Sequence, residues 1–204
     1  MVQFKIRGGR GMVPAAKLTF IYGCMGSAKT AQALIQKFNY EEKGLKVLLL
    51  KPSMDTRDGK YIIKSRIEGL KANTKIFNKT ESIIKKFNSE LKKIDFLIVD
   101  EVHFSTKNQI EELKKIVDDF NIPVYAYGLR SNFKSELFEG SKRLMEIADD
   151  IKEIESLCHC GRKAIINARY RNGKIIYKGD EVKLGRNDTY KALCYKCYKE
   201  GKLK

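Results

Sequence analysis

The sequence predicts an α/β fold in which helices cover both faces of a parallel β-sheet, with a small second lobe after it. Short runs of nearly continuous apolar residues recur along the chain, and segments with helical periodicity separate them. The lobe is predicted because the composition changes to paired cysteines after about residue 155. We therefore divide the chain into an amino-terminal segment (1–16), an α/β domain (17–155) and a carboxyl-terminal lobe (156–204).

The elements follow in order along the chain. Residues 1–16 are basic, rich in glycine and without period, so we expect a disordered start or a cloning remnant, with Met12 as an alternative start. The predicted strands of the domain are 18–22, 45–50, 96–99 and 124–127. Its predicted helices are 31–40, 80–92 and 106–120. In the lobe we predict a hairpin from 164–170 and 174–177, followed by a polar loop over 179–189.

Length and composition exclude several classes of protein. At 204 residues the chain has room for about one to one and a half domains, which excludes a large multidomain machine. No apolar run approaches the roughly 18 residues of a membrane span, so we expect no membrane contact. The net charge of +16 favours anionic partners, but acids are interspersed among the basic residues, so a nucleic-acid-binding patch is not expected.

The chain contains a near match to the phosphate-loop pattern G-x-x-x-x-G-K-[ST]. The match is Gly23-Cys24-Met25-Gly26-Ser27-Ala28-Lys29-Thr30, which fits every defined position of the pattern but one. The segment lies between a predicted strand and a predicted helix, as that motif requires. In such a loop backbone N–H groups surround a phosphate, Lys29 reaches the outer phosphates and Thr30 holds magnesium. The exception is Ala28, where a left-handed backbone would make the β-carbon cost about 1–2 kcal/mol. The alternative interpretation is a glycine-rich turn with an unrelated lysine.

Two carboxylates end the apolar strand Phe96–Val99. Asp100 is placed to support magnesium, as the first acid after such a strand does in phosphate-loop enzymes. Glu101 points in a different direction and is a candidate general base, acting on a substrate hydroxyl or on water. The alternative is a pair of solvated acids at the start of the next helix. Because the two motifs occur together in a parallel-sheet pattern, they predict nucleotide phosphate chemistry.

Four of the five cysteines form two close pairs in the lobe, Cys158-x-Cys160 and Cys194-x-x-Cys197. Four thiolates are enough to close a tetrahedral structural zinc site. In a reducing compartment such pairs favour metal binding over disulfides, so we expect a cytoplasmic protein. His159 is an alternative ligand, and free or redox-active thiols are the alternative to a metal site.

Together these segments resemble the type II thymidine kinases, the short, zinc-containing family, from about Lys17 to Lys199. The resemblance is carried by YGCMGSAKTAQAL, LLLKPSMDTRDG with IKSRI, IVDEVHF, IPVYAYGLRSNF with LFEGS, CHCGRKAIINAR and GRNDTYKALCYKC. It implies a RecA-like P-loop sheet and a zinc-binding lobe whose lasso-like loop covers the nucleoside. It also implies transfer of the γ-phosphate of ATP to the 5′-hydroxyl of deoxythymidine for DNA precursor synthesis, a homotetramer, and thymidine triphosphate as feedback inhibitor.

The resemblance also assigns residues. It places the phosphates and Mg²⁺ of ATP at Lys29, Thr30 and Asp100, and the catalytic base at Glu101. It places Asp55 and Arg57 near the phosphates. Around the thymine base it places Met25, Phe104, Leu129, Phe133 and Tyr190. From the residues alone, Phe104 and Phe133 could equally be core. His103 stands where the family usually has Gln, so a hydrogen bond behind the residues that contact the substrate is expected to differ.

Two other classes of function compete with this prediction. Gly26 to Thr30 and Asp100 to His103 also match the first two motifs of a DExH nucleic-acid-dependent ATPase. Such a helicase needs a second RecA-like domain, and the roughly seventy residues after the sheet are too few to build one. A zinc-ribbon nucleic-acid-binding protein would explain the charge and the cysteines but would leave Lys29, Asp100 and Glu101 without a role.

Overall fold

A computed structural model describes residues 5–7, 10–13, 16–56, 59–180 and 189–204, with side chains for 16–56, 59–180 and 190–204. The strands are β1 (Lys5–Arg7), β2 (Arg10–Val13), β3 (Leu18–Gly23), β4 (Val47–Pro52), β5 (Ile62–Lys64), β6 (Lys71–Asn73), β7 (Lys75–Phe77), β8 (Phe96–Val99), β9 (Val124–Gly128), β10 (Asp150–Ile154), β11 (Ile166–Arg171), β12 (Lys174–Ile176) and β13 (Thr189–Leu193). The helices are α1 (Lys29–Glu41), α2 (Ile83–Lys86), α3 (Asn88–Leu91), α4 (Lys107–Phe120), α5 (Glu139–Ile147) and α6 (Tyr195–Lys199), with a 3₁₀ turn over Val102–Phe104.

The main sheet has six strands in the order β10-β3-β9-β8-β4-β7, and all its neighbours are parallel. This confirms the predicted parallel sheet. The strand before the phosphate-loop motif, β3, and the strand before the two carboxylates, β8, are separated by β9 alone. Both motifs therefore lie at the same edge of the sheet, because parallel strands all end on one side.

Helices cover both faces of the sheet, as predicted. Successive residues of a strand point to opposite faces. Leu97 and Val99 of β8 pack in a cluster with residues of α2, α3, α4 and α5. Phe96 and Ile98 pack in a second cluster, which contains Leu34 of α1 and a residue of β5. Helix α1 and the β5–β6 hairpin are thus held on the same face.

The lobe has an antiparallel sheet, β12-β11-β13, and the short helix α6. Its core is a separate cluster of small and medium side chains, among them Ala164, Ile166 and Leu193. Cys24 of the phosphate-loop segment belongs to the same cluster. The lobe core therefore reaches the edge of the main sheet where the two motifs lie.

Three features differ from the sequence prediction. The predicted helix 80–92 is two short helices, α2 and α3, interrupted at Phe87, whose backbone leaves the helical region at φ −110° and ψ 21°. The predicted strands did not include β7, β10, β13 or the β5–β6 pair, and the predicted helices did not include α5 or α6. Within residues 1–16, where we expected no regular structure, β1 and β2 pair with each other in a two-stranded antiparallel sheet.

Candidate active site

The loop between β3 and α1 is a tight turn with left-handed backbone at two positions. A β-carbon on Gly23 would lie 2.5 Å from the carbonyl oxygen of Ile154 and from the hydroxyl oxygen of Ser27, so only glycine fits. Gly26 has a φ of +84°. Ala28 lies in the left-handed region at φ 60° and ψ 22°, immediately before α1. The strain considered for a β-carbon at this position, about 1–2 kcal/mol, is therefore present in the loop.

Lys29 is buried inside the loop and is 8% exposed. Its ammonium donates hydrogen bonds to the carbonyl oxygens of Gly23 at 3.0 Å and Cys24 at 2.7 Å, and to the hydroxyl of Ser27 at 3.3 Å. These acceptors all belong to the same loop. The positive charge is thus held at the start of α1, the end of a helix that favours anions.

Thr30 and Asp100 bring the two motifs into direct contact. The Thr30 hydroxyl donates to Oδ2 of Asp100 at 3.0 Å, and Oδ1 of Asp100 accepts the backbone N–H of Glu101 at 3.0 Å. Asp100 is 3% exposed. Burial, with a smaller effect from the neighbouring Glu101 carboxylate, raises the pKa of Asp100 to about 7, although its two hydrogen bonds act in the opposite direction.

These two oxygens fit a magnesium ion. Hydroxyl and carboxylate oxygens are ligands that Mg²⁺ accepts, and adjacent ligands of an octahedral Mg²⁺ lie about 2.9 Å apart. The 3.0 Å between Thr30 Oγ1 and Asp100 Oδ2 matches that separation. A divalent cation would also favour the ionised carboxylate, which burial disfavours.

Glu101 and His103 form a short turn that reaches the segment after β9. Glu101 has a left-handed backbone at φ 52° and ψ 33° and is 9% exposed. One of its carboxylate oxygens lies 3.5 Å from Nδ1 of His103. The same nitrogen accepts the backbone N–H of Leu129 at 3.2 Å. His103 therefore lies between the expected catalytic base and a residue expected at the thymine base.

Asp55 is buried and paired with a lysine that the sequence analysis did not select. Lys51 is 0% exposed, and its ammonium lies 3.4 Å from Oδ2 of Asp55. It also donates to the carbonyl oxygens of Gly59 at 3.0 Å and Ile62 at 2.9 Å. Lys51 thus holds together the loop that carries Asp55. Arg57, expected near the phosphates, lies outside the described residues.

Asn167 of β11 joins the lobe to two segments of the main domain. Its Oδ1 accepts the backbone N–H of Met25 at 2.6 Å, and its Nδ2 donates to the carbonyl oxygen of Ser131 at 3.3 Å. Next to this contact, the Cys24 thiol donates to the carbonyl oxygen of Ala164 at 3.3 Å. Burial raises the pKa of that thiol above its usual range. The loop that carries Met25 is therefore fixed from the lobe side as well as from the sheet.

The expected base-contacting aromatics differ in their exposure. Phe104 is half-buried, and its ring centre lies 4.1 Å from that of His103. Phe133 is 1% exposed, and the guanidinium of Arg169 lies 3.9 Å from its ring centre. Tyr190 is half-buried, and its hydroxyl accepts two hydrogen bonds from Arg169. Phe133 and Tyr190 are thus brought together by one arginine.

The four cysteines of the lobe converge on one point. Their Sγ atoms all lie within 4.8 Å of one another, and the set consists of Cys158, Cys160, Cys194 and Cys197. Sulfurs around a tetrahedral Zn²⁺, with bonds of about 2.3 Å, lie about 3.8 Å apart, so the cluster fits zinc. A backbone hydrogen bond at Arg162, helped by the neighbouring thiols, lowers the pKa of Cys160 to about 6, whereas burial raises that of Cys197 to about 12.

His159 remains next to this cluster. Its Nδ1 lies 3.6 Å from Sγ of Cys158, and its Nε2 lies 3.7 Å from Sγ of Cys197. Within the described residues, the group whose ligand atoms converge contains the four cysteines and not His159. The geometry therefore favours the four-cysteine ligand set.

Known proteins resemble the chain over nearly its whole length. A family model described as "Thymidine kinase" matches residues 16–198. A thymidine kinase of Enterobacteria phage T4 is 42% identical over 188 residues, which cover 91% of this chain and 96% of that protein. Thymidine kinases of Legionella pneumophila (strain Paris) and Lactococcus lactis are each 40% identical and cover 91% and 90% of this chain, and 90% and 97% of their own lengths.

The chain belongs to the thymidine kinase family. The identities extend over both the α/β domain and the lobe, as in the short, zinc-containing kind. A solved structure of a DnaB-like replicative helicase is 16% identical, with a TM-score of 0.41 over 76% of this chain and 48% of that one, and a likeness this low carries no conclusion. Membership of the thymidine kinase family favours neither the nucleic-acid-dependent ATPase nor the zinc-ribbon nucleic-acid-binding protein.

Three buried polar residues around the site were missed by the sequence analysis. Asn167 and Arg169 are buried polar side chains in β11, where each residue from Ile166 to Arg169 is buried. Polar groups inside a buried strand require hydrogen-bonding partners, and that requirement was the available signal. Lys51 gave a similar signal, as a lysine at the end of an apolar strand.

No membrane span is present in the helices of the described residues, since none combines the length and the apolar character that a crossing requires.

Proposed function

We propose that this chain transfers the γ-phosphate of ATP to the 5′-hydroxyl of deoxythymidine. The observation that carries the proposal is the meeting of the two motifs. The phosphate-loop residue Thr30 bonds to Asp100 at 3.0 Å, and Glu101 follows on the same turn. Membership of the thymidine kinase family supports the choice of nucleoside.

The phosphate-binding part of the site belongs to the loop between β3 and α1. We assign the ATP phosphates to Gly23, Met25, Gly26, Ser27, Ala28, Lys29 and Thr30. Thr30 and Asp100 would hold Mg²⁺, which when bound neutralises charge on the phosphate oxygens. Lys29 would exchange its bonds to loop carbonyls for bonds to phosphate oxygens. Asp55 and Arg57 are assigned to the loop that approaches the phosphates.

Glu101 is assigned as the general base that accepts the proton of the 5′-hydroxyl. Its position supports this role, because it directly follows the magnesium carboxylate and is almost buried. We assign the thymine base to a slot formed by Met25, Phe104, Leu129, Phe133 and Tyr190. Phe133 would serve this slot as a buried support, since one of its faces is already in contact with Arg169.

The four cysteines are proposed to hold a structural Zn²⁺. Their sulfurs lie close enough for one tetrahedral ion. Four protein ligands leave no open position, so the ion would stabilise the lobe and take no part in phosphate transfer. Cysteines that bind a metal instead of forming disulfides are typical of a reducing compartment, which supports a cytoplasmic location.

Two further properties are proposed from membership of the family. We propose a homotetramer, and we propose thymidine triphosphate as an end-product inhibitor. Analytical ultracentrifugation would test the first, and inhibition of turnover by thymidine triphosphate would test the second.

The proposed reaction is tested by measuring ADP release with ATP and Mg²⁺ across a panel of nucleosides. We expect release that depends on deoxythymidine and far less release with ribonucleosides or purine nucleosides. ATP turnover stimulated by DNA, with none stimulated by thymidine, would overturn the proposal in favour of a nucleic-acid-dependent ATPase.

A further inference from the structure

Arg66 is the first residue of the turn that joins β5 to β6, and no pattern in the sequence gave it a role. The backbone N–H of Ser65 donates to the carbonyl oxygen of Leu70 at 2.9 Å, which closes this turn. Arg66 is exposed, and it has no hydrogen bond or ion pair with any residue that the structure describes. All five N–H donors of its guanidinium are therefore available to a ligand.

The guanidinium of Arg66 lies beside the phosphate loop. A β-carbon on Gly26 would lie 3.8 Å from its Nη1, and Gly26 is the middle glycine of the loop, at a φ of +84°. Within the described residues, no other group beyond the chain neighbours of Gly26 comes within 4 Å of that position. The loop backbone and the guanidinium thus face each other across open space.

Three contacts hold the hairpin in this place. Ile63 is buried in the same cluster as Leu34 of α1, the helix that follows the phosphate loop. The Lys51 ammonium donates to the carbonyl oxygen of Ile62 at 2.9 Å, which ties the start of β5 to the end of β4. In the turn itself, the Ser65 hydroxyl accepts the backbone N–H of Ile67 at 3.1 Å. The position of Arg66 near the loop is therefore set by packing and hydrogen bonds of its own hairpin.

We propose that Arg66 binds the phosphate chain of ATP from the side opposite the loop backbone, as a second cation besides Lys29. Charge-assisted N–H···O bonds to phosphate are about 2.7–2.9 Å long, so one phosphate group can accept hydrogen bonds from the loop and from Arg66 together. A planar guanidinium donates two parallel bonds to a phosphate, which an ammonium cannot do. Arg66 then neutralises charge on the phosphate oxygens from within the same chain, as an arginine finger does. The proposal rests on the proposed function for the identity of the nucleotide.

The other cations of the hairpin provide a matched control. Lys64 and Lys71 lie directly opposite each other in the β5–β6 pair. Successive residues of a strand point to opposite faces, so both lysines lie on the face opposite Ile63 and α1. Lys71→Met therefore removes an exposed positive charge from the same hairpin without changing the group that faces the phosphate loop.

The first test measures binding of inorganic tripolyphosphate, with Mg²⁺, to the full chain by calorimetry. This probe has no base or sugar, so it reports phosphate contacts alone. We expect its Kd to rise about 10- to 100-fold in Arg66→Met, the range for losing hydrogen bonds to a charged group. Arg66→Lys should recover part of the loss, and Lys71→Met should stay within about twofold of the wild type at about 0.15 M salt, where separated surface charges are screened.

The second test is kinetic. In Arg66→Met the kcat/KM for ATP should fall by the same factor, while the KM for thymidine at saturating ATP should stay within about twofold of the wild type. The Tm of the ligand-free variant should not change, because the guanidinium is exposed and has no partner to lose within the described residues.

Three results would overturn the assignment of Arg66. They are an unchanged affinity for tripolyphosphate in Arg66→Met, an equal loss in Lys71→Met, which would show only a general effect of charge, and a wild type that does not bind tripolyphosphate. A wild type without thymidine-dependent ADP release would reject the proposed function, and tripolyphosphate binding would still decide the role of Arg66.

Discussion

Glu101 is the residue on which the proposed chemistry depends most. It is held by the turn after β8, next to Asp100 and 3.5 Å from His103. General base catalysis contributes about 10²–10⁴-fold, so Glu101→Gln should lower kcat by that order while thymidine binding persists. Single-turnover kinetics and calorimetric titration with thymidine would measure the two quantities. A variant that loses binding but keeps its turnover would assign Glu101 a different role.

Ala28 carries measurable strain in the phosphate loop. Its φ of 60° is a conformation that glycine adopts without penalty and alanine does not. Ala28→Gly should remove about 1–2 kcal/mol of strain, offset in part by the greater freedom of glycine in the unfolded chain, about 0.4–1 kcal/mol. Since the ligand-free loop already has this conformation, we expect a higher Tm, by about 2–4 °C per kcal/mol of net strain removed, and almost unchanged affinity for ATP and thymidine. A lower Tm in the glycine variant would contradict the strain argument.

Asp100 should make the stability of the ligand-free protein depend on pH. Its pKa is about 7 in the folded chain against an ordinary value of 3.8, because burial and Glu101 disfavour its charge. Between these values the folded chain binds a proton that the unfolded chain has released, so this contribution to stability falls as pH rises from about 4 to about 7. Asp100→Asn stays neutral and should therefore raise the Tm more at pH 8 than at pH 5.

Thermal unfolding in EDTA at the two pH values measures this effect. For a chain of this size about 1 kcal/mol changes the Tm by about 2–4 °C, so a change of several degrees is expected. Added Mg²⁺ and ATP should then stabilise the wild type at pH 8 more than Asp100→Asn. An equal gain in Tm at pH 5 and pH 8 would show that the carboxyl group is not protonated in the folded chain.

At the scale of elements, Asn167 couples β11 to the phosphate loop. Asn167→Ala would leave the N–H of Met25 and the carbonyl of Ser131 without these partners, at about 1–3 kcal/mol for each buried group. We expect a Tm lower by several degrees and a higher KM for both ATP and thymidine, because both segments line the site. Asn167→Asp keeps the acceptor for Met25 and should impair ATP binding less. Unchanged kinetics in Asn167→Ala would show that the loop is fixed from the sheet alone.

At the scale of the whole molecule, the lobe and the main sheet have separate cores. The lobe cluster consists mainly of small residues and cysteines, so it needs a metal or another crosslink to be stable alone. Cys194→Ala should release zinc and raise the KM for thymidine, because the loop would have to be ordered at each binding event. Amides of β8 should remain protected from exchange. Cys24→Ala, which removes a cysteine that is not one of the four proposed zinc ligands, should retain the metal.

Metal analysis and hydrogen exchange on both cysteine variants test this division. Fresh wild-type protein, purified under reducing conditions, should contain about one zinc ion per chain. Protein without zinc, or loss of protection in β8 of Cys194→Ala, would contradict the proposed structural site.

The sequence by itself determined the parts of this protein whose signals are local. The strand, glycine-rich turn and helix around Lys29, the apolar strand that ends in Asp100, and the periodicity of α4 are each written within about fifteen residues. The cysteine pairs are local signals as well. The sheet then brings the two motifs to one side, because parallel strands all end at the same edge.

The tertiary structure alone decided the features that depend on contacts between distant residues. Strand β10 has a charged and half-exposed sequence, and it is a strand because its backbone pairs with the exposed edge of β3. Asn167 and Arg169 have polar side chains that would be ordinary on a surface, and their roles follow from partners 11 or more residues away. These contacts form because a buried polar group needs a hydrogen-bonding partner. No local sequence pattern shows which partner that will be.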